Sequence, residues 1–449
     1  MEYPGSKLTR PIRLTILIAF IAAFFIISPL VIIISAGFRF DTKNGLLRET
    51  GSLSVDITPE TAQVYLDGIK IDQKIPIRLN NITPHKYTLR LSAPGYYEWE
   101  KVIEINKNQT TYIKGLIMIK KSKPEKISEL KPTEISVSPN GKYAATAVIK
   151  ENEVEVNVND LEKNIIIKSL VLENIDGVDF TWSDVSSFLV ITNKSRPFKD
   201  LLVINPASQN SVKNLVSGEI KSIDKYIWSK DIEPKLYFES KNKIYSYLAR
   251  LDQTSFVTAN IFQDWFIDNG LLWTINFNTS SGFLFINSDS LGFENLFYQF
   301  QNTTDFPSST LRKLTIESVK NNTVILKNQE QNKYYIINNQ QVYTINGEQI
   351  LYSRFNDWLL AWTPWELWTY SEGDEPYLLN RSGDELMGVL PLDEHNTLAL
   401  IWNNNVTVLH PYFLTQRTVI DESIYTLSAD TVARTIYFSN SNGFWKLDY

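Results

Sequence analysis

Histidines are the side chains best suited to bind a transition metal or to transfer a proton near neutral pH, and this chain has three. His85 and His395 lie in polar turn segments, and His410 precedes a proline at the end of an apolar run. None is three or four residues from another, the spacing that places two metal ligands on one helix face. The 449-residue chain also contains no Cys, which removes thiolate chemistry, disulfides and Cys-bound zinc. We therefore expect neither a metal site nor a cofactor.

Motifs that would identify an enzyme are missing from the sequence. There is no Gly-rich phosphate loop ending in Lys-Ser/Thr, and no G-x-S-x-G segment. The acidic turns at 372–375 and 382–385 lack the alternating oxygen ligands that a calcium loop spreads over about twelve residues, so we interpret them as solvated hairpin turns. A catalytic triad, or a pair of carboxylates acting on a glycoside, can be dispersed along a chain, and that alternative stays open.

Four tryptophans are concentrated in "DWLLAWTPWELWTY", residues 357–370. They are Trp358, Trp362, Trp365 and Trp368. Their spacing resembles that of a helix, but Pro364 and the strand-rich flanks favour a hairpin with its turn at 363–366. Exposed together, the rings could stack on sugars or on a peptide. Buried, they would fill space between sheets, and the pattern favours packing over ligand binding.

The stretch "DITPETAQVYLDGIKID", residues 56–72, contains several carboxylates that could form an acidic site. Asp67-Gly68 separates two runs rich in β-branched and aromatic residues. Asp-Gly is typical of a two-residue hairpin loop, because both positions of that loop need a positive φ. Glu60 belongs to the bend that leads into the first run. We therefore predict a structural role for Asp67 rather than a chemical one.

An uncharged apolar segment of 25 residues extends from Leu14 to Phe38. About 20 helical residues span the hydrocarbon core of a bilayer, whereas the apolar region of a cleavable signal peptide has about 7–15. The length predicts an uncleaved membrane anchor, with Pro29 as a tolerated kink. The alternatives are a signal peptide cleaved after Ser35-Ala36-Gly37, which would give a secreted protein, and a buried helix of a soluble protein.

Charge is distributed unevenly along the chain, whose net charge is −6. Residues 1–48 carry +4 and the remainder carries −10. An acidic body is a poor electrostatic match for nucleic acid, so we expect no nucleic-acid partner. A short basic N-terminus followed by one span and a large body predicts the N-terminus in the cytoplasm and residues 39–449 outside the membrane.

Residues 51–115 show the alternation of apolar and polar residues that marks half-buried strands. Seven short strands separated by Pro, Gly and Asn turns predict a small β-sandwich. This region resembles the PEGA domain. The resemblance rests on Pro59-Glu60-Thr61-Ala62, Val64-Tyr65-Leu66-Asp67-Gly68, Ile75-Pro76-Ile77 and Ala93-Pro94-Gly95-Tyr96. Thr61, and the turn at 83–86, replace glycines that are usual in the family. The resemblance implies a surface-associated, non-catalytic module, often found near a membrane anchor or a cell wall.

A weak unit recurs through the rest of the chain, consisting of an apolar approach, a polar turn and an apolar β run. Its markers are Ser138, Ser183, Ser229, Asp268, Ser318, Asn356, Asp393 and Ser428. A mean spacing of about 41 residues, with four strands to a unit, is typical of a β-propeller. We predict seven or eight blades, and the alternative is a pair of β-sandwiches or a less regular all-β body.

The expected chain is mostly β, with one transmembrane helix, a small sandwich and a propeller-like domain. The expected segments are a cytoplasmic N-terminus (1–13), a transmembrane helix (14–38), a juxtamembrane linker (39–50), a PEGA-like sandwich (51–115), a linker (116–130) and a propeller-like domain (131–449). The unit at 138–143 resembles the blades of Tol-type and related bacterial propellers. The whole layout resembles membrane-anchored PEGA proteins of bacteria.

These features predict a non-enzymatic protein of the cell envelope, held in the cell membrane by its N-terminal helix. Its propeller would present a surface that binds an envelope protein or a cell-wall glycan, since propellers bind on loops held by a rigid ring. The alternative is an envelope hydrolase acting at the mouth of the propeller channel. It would need clustered Asp, Glu or His residues with perturbed pKa values at that mouth.

Overall fold

The structure is a computed structural model of the chain. It describes residues 10–35, 38–41, 46–151, 153–173, 175–185, 187–208, 212–230, 233–259, 262–290, 293–301, 306–328, 330–338, 341–353 and 358–449. The described residues divide into two compact units, which meet in sequence between Lys121 and Ser122.

The first unit begins with a long apolar helix, α1, at Arg10–Ser35. Its window Pro11–Pro29 has a mean hydropathy of 2.3, and none of it is buried within the protein. Phe20, Phe25 and Ile26 each expose about 70% of their surface. By length and composition this helix could be a membrane span or a signal sequence. The alternative of a buried helix of a soluble protein is wrong, because no part of the described protein covers the helix. A two-stranded hairpin follows, formed by β1 (Phe38–Asp41) and β2 (Leu46–Glu49).

Seven strands form the sandwich predicted from the sequence. They are β3 (Gly51–Thr58), β4 (Gln63–Leu66), β5 (Ile69–Ile71), β6 (Ile77–Ile82), β7 (His85–Ser92), β8 (Trp99–Ile105) and β9 (Thr110–Ile117). One sheet has the order β6-β3-β9 and the other β5-β4-β7-β8. The alternating residues Leu53, Val55 and Ile57 are all at most 3% exposed, as a sheet with one face on a core requires.

The hairpin between β4 and β5 turns at Asp67-Gly68, as predicted. Both residues have positive φ, 48° and 78° respectively. The Asp67 carboxylate also has a partner that the sequence did not indicate, because its Oδ1 accepts a hydrogen bond of 2.7 Å from the backbone N–H of Thr88 on β7. Asp67 therefore fixes a turn and ties it to the neighbouring strand.

The second unit consists of eight four-stranded antiparallel sheets within its described residues, each formed mainly by consecutive strands. The first four blades comprise β11 (Glu134–Val137), β12 (Tyr143–Lys150), β13 (Glu153–Asp160) and β14 (Ile165–Glu173); β15 (Val178–Trp182), β16 (Leu189–Asn193), β17 (Leu201–Ile204) and β18 (Val212–Asn214); β19 (Lys225–Trp228), β20 (Lys235–Ser240), β21 (Lys243–Leu248) and β22 (Gln253–Ala259); and β23 (Asp264–Asp268), β24 (Leu271–Asn278), β25 (Phe283–Ser290) and β26 (Phe293–Gln301).

Blades five to seven continue this order, and a short helix, α2 (Ser308–Leu311), precedes blade five. They comprise β27 (Leu314–Lys320), β28 (Thr323–Asn328), β29 (Lys333–Asn338) and β30 (Gln341–Asn346); β31 (Gln349–Tyr352), β32 (Leu359–Trp362), β33 (Glu366–Tyr370) and β34 (Tyr377–Arg381); and β35 (Leu386–Pro391), β36 (Leu398–Trp402), β37 (Val406–His410) and β38 (Thr415–Ile420).

Blade eight closes the ring by joining the two ends of this unit. Three of its strands come from the C-terminus, β39 (Thr426–Asp430), β40 (Thr435–Asn440) and β41 (Gly443–Asp448), and the fourth is β10 (Glu125–Ser128). The inner strand β39 contacts β11 of blade one, where the backbone N–H of Val137 donates to Ser428 Oγ at 2.9 Å. The described residues of the propeller therefore form eight blades, which agrees with the predicted seven or eight.

Apolar clusters fill the spaces between neighbouring blades, which is the physical basis of the ring. Each blade is too thin to bury both of its faces alone, so each face is covered by the next blade. Blades one and two share a cluster that contains Val156 and Leu189, and blades six and seven share one that contains Leu360 and Leu400. Tyr437 and Phe444 of blade eight pack against Ile135 of blade one.

Two sequence-based boundaries differ from the structure. The expected linker 116–130 begins inside β9, which ends at Ile117, and contains β10, so the propeller starts before residue 131. The linker composition was misleading because β10 is a short outer strand rich in charged residues, a common way to protect a sheet edge. Among the repeat markers, Asp268, Ser318 and Ser428 lie within strands rather than turns, and Asn356 lies outside the described residues.

Candidate functional site

The four candidate tryptophans do not form one exposed surface. Trp358 and Trp362 are 8% and 6% exposed and belong to the cluster between blades six and seven. Trp368 is half-buried and packs on the other side of blade six, against the cluster shared with blade five. Trp365 is 53% exposed. The alternation of a strand sends neighbouring rings to opposite faces, which is why the set is divided.

Trp365 lies in the turn between β32 and β33, where the sequence placed it. The Thr363 hydroxyl accepts hydrogen bonds from the backbone N–H groups of Trp365 (3.2 Å) and Glu366 (3.1 Å), so it fixes this turn. Trp368 Nε1 donates to the Glu366 carboxylate at 2.9 Å. The remaining candidate for stacking on a ligand is therefore one exposed ring at the tip of a hairpin.

The three histidines are divided between the two units, since His85 lies in the first and His395 and His410 both lie in or beside blade seven. His85 begins β7 and its ring lies 5.5 Å from that of Tyr87. His395 is in the turn after β35, and His410 is buried at the end of β37 beside Phe413. Within the described residues, no group of three or more His, Asp and Glu side chains could hold a metal ion.

Two carboxyl groups near the inner strands have raised pKa values. Burial raises the pKa of Glu134 at the start of β11, against the opposing effect of Lys194 at 3.2 Å. Burial also raises the pKa of Asp184, which follows β15, and the charges of Lys230 and Lys320 oppose this shift. A five-residue strand such as β15 is about 16 Å long, so these two groups lie near opposite ends of the inner strands and do not form a pair.

The raised pKa of Glu134 gives a test by pH. Its protonated form is the one favoured by folding, so its contribution to stability is present below about pH 4.5 and is lost as the pH rises through the folded-state pKa. We expect the stability of Glu134→Gln relative to the wild type to increase between pH 4 and pH 7. The exposed Glu162→Gln on the same blade serves as the control. Urea midpoints at both pH values measure this, and a relative stability that falls with pH contradicts it.

A cleft of about 760 Å³ opens across blades one to three. The turns at 138–142, 183–185 and 249–252 border it, together with Ser187 and Phe188. These segments meet there because the first and third strands of every blade end at the same side of the ring. A volume of this size falls within the range of about 300–1,000 Å³ that is usual for ligand sites.

Serine side chains hold the turns that border the cleft. Ser138 Oγ accepts the backbone N–H of Tyr143 at 2.9 Å, and Ser183 Oγ accepts that of Phe188 at 3.1 Å. The same serine-to-backbone hydrogen bond thus occurs in two consecutive blades, at two of the repeat markers found in the sequence. The hydroxyls take up backbone donors that would otherwise be unsatisfied, so they stabilise the two turns beside the cleft.

The charged residues of the cleft are three cations and one carboxylate, Lys142, Lys213, Arg250 and Asp252. Asp252 is already neutralised locally, since Lys213 lies 3.1 Å from it and the Tyr247 hydroxyl donates to it at 3.1 Å. Burial and this carboxylate both raise the pKa of Tyr247, which keeps the hydroxyl protonated as a donor. Lys142 and Arg250 therefore give the cleft a net positive charge.

The positive charge of the cleft contrasts with the negative net charge of the second unit as a whole. Residues 122–449 contain 28 Lys/Arg and 40 Asp/Glu, a net charge of −12. A local cation excess in a concave site draws anions to that site. The sequence did not indicate the cleft because its residues come from three blades. Two of the turns that border it do contain repeat markers, Ser138 and Ser183.

Comparison with known proteins gives a family for part of the chain. Residues 50–120 match the PEGA domain, which confirms the resemblance inferred from the sequence. No curated protein sequence matches the chain. Similar solved structures include the C-terminal WD40 domain of Sif2, with 11% identity, a TM-score of 0.48 and coverage of 72% of this chain and 97% of that one.

Two further structures cover the same part of the chain. Sqt1 of Saccharomyces cerevisiae is 11% identical, with a TM-score of 0.46, and the match covers 73% of this chain and 98% of that one. The β-propeller domain of Cps50 (Swd1) from Myceliophteria thermophila is 10% identical, with a TM-score of 0.42 and coverage of 72% and 98%. The order of its own strands, in four-stranded antiparallel sheets, defines the second unit as a propeller.

Proposed function

We propose that the chain is a non-enzymatic binding protein of a bacterial cell envelope, anchored in the cell membrane by α1. The short N-terminus lies in the cytoplasm and residues 39–449 lie outside. The PEGA domain acts as a spacer or a contact with the cell wall. The propeller presents the surface that binds a partner.

The exposed apolar surface of α1 is the observation that carries the anchoring role. The window Pro11–Pro29 alone is about 28 Å long at 1.5 Å per residue, close to the thickness of a bilayer's hydrocarbon core. Its phenylalanines and isoleucines are covered by no part of the described protein. Such a surface is stable in lipid and costly in water.

The propeller supports binding better than hydrolysis. A hydrolase at the channel mouth would use two carboxyl groups close enough to act on one bond, with separations of about 5–10 Å. The two carboxyl groups with raised pKa values, Glu134 and Asp184, lie near opposite ends of the inner strands. The charged residues that line the cleft across blades one to three are instead three cations and one carboxylate.

Membrane retention and protease accessibility test the proposal. We expect the full chain to remain in the membrane after carbonate washing, at the mass of the uncleaved chain, and external protease to remove the body from intact cells. Phe20→Arg with Phe24→Arg should abolish retention, because each charge at the centre of a span costs about 2.5–3.5 kcal/mol. Phe20→Leu with Phe24→Leu is the matched control and should be retained.

Two outcomes contradict different parts of this proposal. A body that resists external protease rejects the orientation, and a mature chain shortened near residue 37 rejects the anchor in favour of a secreted protein. The glycan-binding alternative depends on Trp365, so Trp365→Ala should reduce retention on cell-wall material if sugars stack on that ring.

A further inference from the structure

We propose that the cleft across blades one to three binds an extended acidic segment of a partner protein, with carboxylate and aliphatic side chains in alternation. The inference rests on the proposed binding role of the propeller and specifies its site and its ligand. The partner's carboxylates would pair with Lys142 and Arg250. Its aliphatic side chains would cover Val185 and Val212.

The charge of the cleft selects an anion. Arg250 is exposed and makes no hydrogen bond or ion pair within the described residues. Lys142 has the carboxylate of Asp160 in its neighbourhood, but Asp160 already pairs with Lys163 at 3.5 Å. A guanidinium group binds a carboxylate in bidentate fashion, which suits Arg250 for this role.

The apolar part of the lining favours a peptide over a glycan. Sugars stack on open aromatic faces, and the aromatic rings of the cleft, Tyr143, Phe188 and Tyr247, are at most 8% exposed. Tyr143 is also stacked on Trp182. The accessible apolar groups include Val185 and Val212, 37% and 38% exposed, which suit aliphatic side chains.

The backbone beside the cleft is suited to an extended chain. Val212 and Lys213 belong to β18, the outer strand of blade two, which pairs with β17 on one side and with no other described strand. An extended peptide can add its backbone to such an edge while its side chains alternate between two sides. Alternating carboxylate and aliphatic residues would match this geometry.

Fluorescence anisotropy with the full chain in detergent tests the inference. The probe is a fluorescein-labelled ten-residue peptide that alternates Glu and Val. We expect the wild type to bind it, and Lys142→Glu with Arg250→Glu to weaken binding about tenfold or more, because the charges at the contact are reversed. Lys142→Arg with Arg250→Lys should retain most of the affinity.

A matched control separates the cleft from the overall charge. Lys221→Glu with Lys243→Glu makes the same charge change in or beside blade three, and Lys243 begins the strand that ends beside the cleft. This control should change affinity less than about threefold, since neither residue lines the cleft and salt screens exposed charges beyond a Debye length. An equal loss in the control would reduce the binding to a non-specific charge effect and overturn the proposal.

Two further outcomes also overturn it. One is a wild-type chain with native Trp emission that fails to bind the Glu-Val probe at millimolar concentration. The other is an oligogalacturonate of ten sugars that binds more tightly than the peptide and loses affinity with the same variant, which would assign the cleft to a glycan. Crosslinking in the envelope separates the two proposals. If Lys142→Glu with Arg250→Glu captures the same partners as the wild type, the binding role of the propeller stands and the assignment of the cleft fails.

Discussion

Asp264→Leu is expected to lower the free energy of unfolding of the propeller by about 3–5 kcal/mol, because it leaves a lysine ammonium without its counter-ion in a largely buried place. Lys225 Nζ lies 2.8 Å from Asp264 Oδ1 and donates to the Trp265 carbonyl at 2.7 Å. Asp264 Oδ2 also accepts the backbone N–H of Ile316 at 2.7 Å. One carboxylate thus joins blades three, four and five.

Exposure decides the size of this effect. The side chains of Lys225 and Asp264 are 19% and 12% exposed, so solvent compensates little for the loss of either. The pair between Lys313 and Glu330 is 49% and 63% exposed, and Lys313→Ala is expected to cost less than about 1 kcal/mol. Lys225→Met combined with Asp264→Leu should recover part of the stability, since the orphaned charge is then removed.

Tryptophan emission during urea unfolding measures these differences. Ten of the eleven tryptophans lie in residues 122–449, so the signal reports mainly on the propeller. A loss below 1 kcal/mol for Asp264→Leu, or equal losses for Asp264→Leu and Lys313→Ala, would show that the network does not hold the three blades together.

Gly443→Ala is expected to destabilise the propeller by about 3 kcal/mol, by combining backbone strain with a steric clash where the ring closes. Gly443 has a φ of +134°, a backbone conformation that residues with a side chain rarely adopt. A Cβ at this position would lie 2.5 Å from the Ser128 carbonyl oxygen and 2.8 Å from Lys126 Cε. Both neighbours belong to β10, the strand that closes blade eight.

Gly218→Ala is the matched control for this prediction. Its φ of +61° also favours glycine, but a Cβ there would meet no atom within 4 Å. The control should therefore lose only the backbone cost of about 1–2 kcal/mol. Equal losses for the two variants, measured as urea midpoints of the full chain, would show that contact with β10 adds nothing to the stability of the ring.

The closing strand shows why this part of the domain boundary could not be read from the sequence. Residues 125–128 look like a charged linker because half of them are Glu or Lys. Their structure comes from a partner more than 300 residues away, since Glu125 lies opposite Lys446 on β41. Lys126 packs its ammonium 5.6 Å from the Trp445 ring. No local pattern reports such a pairing.

In the tryptophan segment, too, the sequence determines some features and tertiary packing determines others. The sequence determined the hairpin, since Thr363 and Pro364 signal a turn and the flanking runs signal strands. Which rings are exposed depends on the blades on either side. Trp362 is buried because blade seven covers it, and Trp365 is exposed because it lies at the end of the sheet.

By itself, the sequence determined the features that depend on neighbouring residues or on a regular period. These are the apolar helix, the Asp67-Gly68 turn, the seven strands of the PEGA domain and the repeating four-stranded unit. Only the tertiary structure decided the blade number, the closure through β10 and the cationic cleft. Each of these requires segments far apart in the chain to meet, and their meeting is set by the packing of blade on blade rather than by local preference.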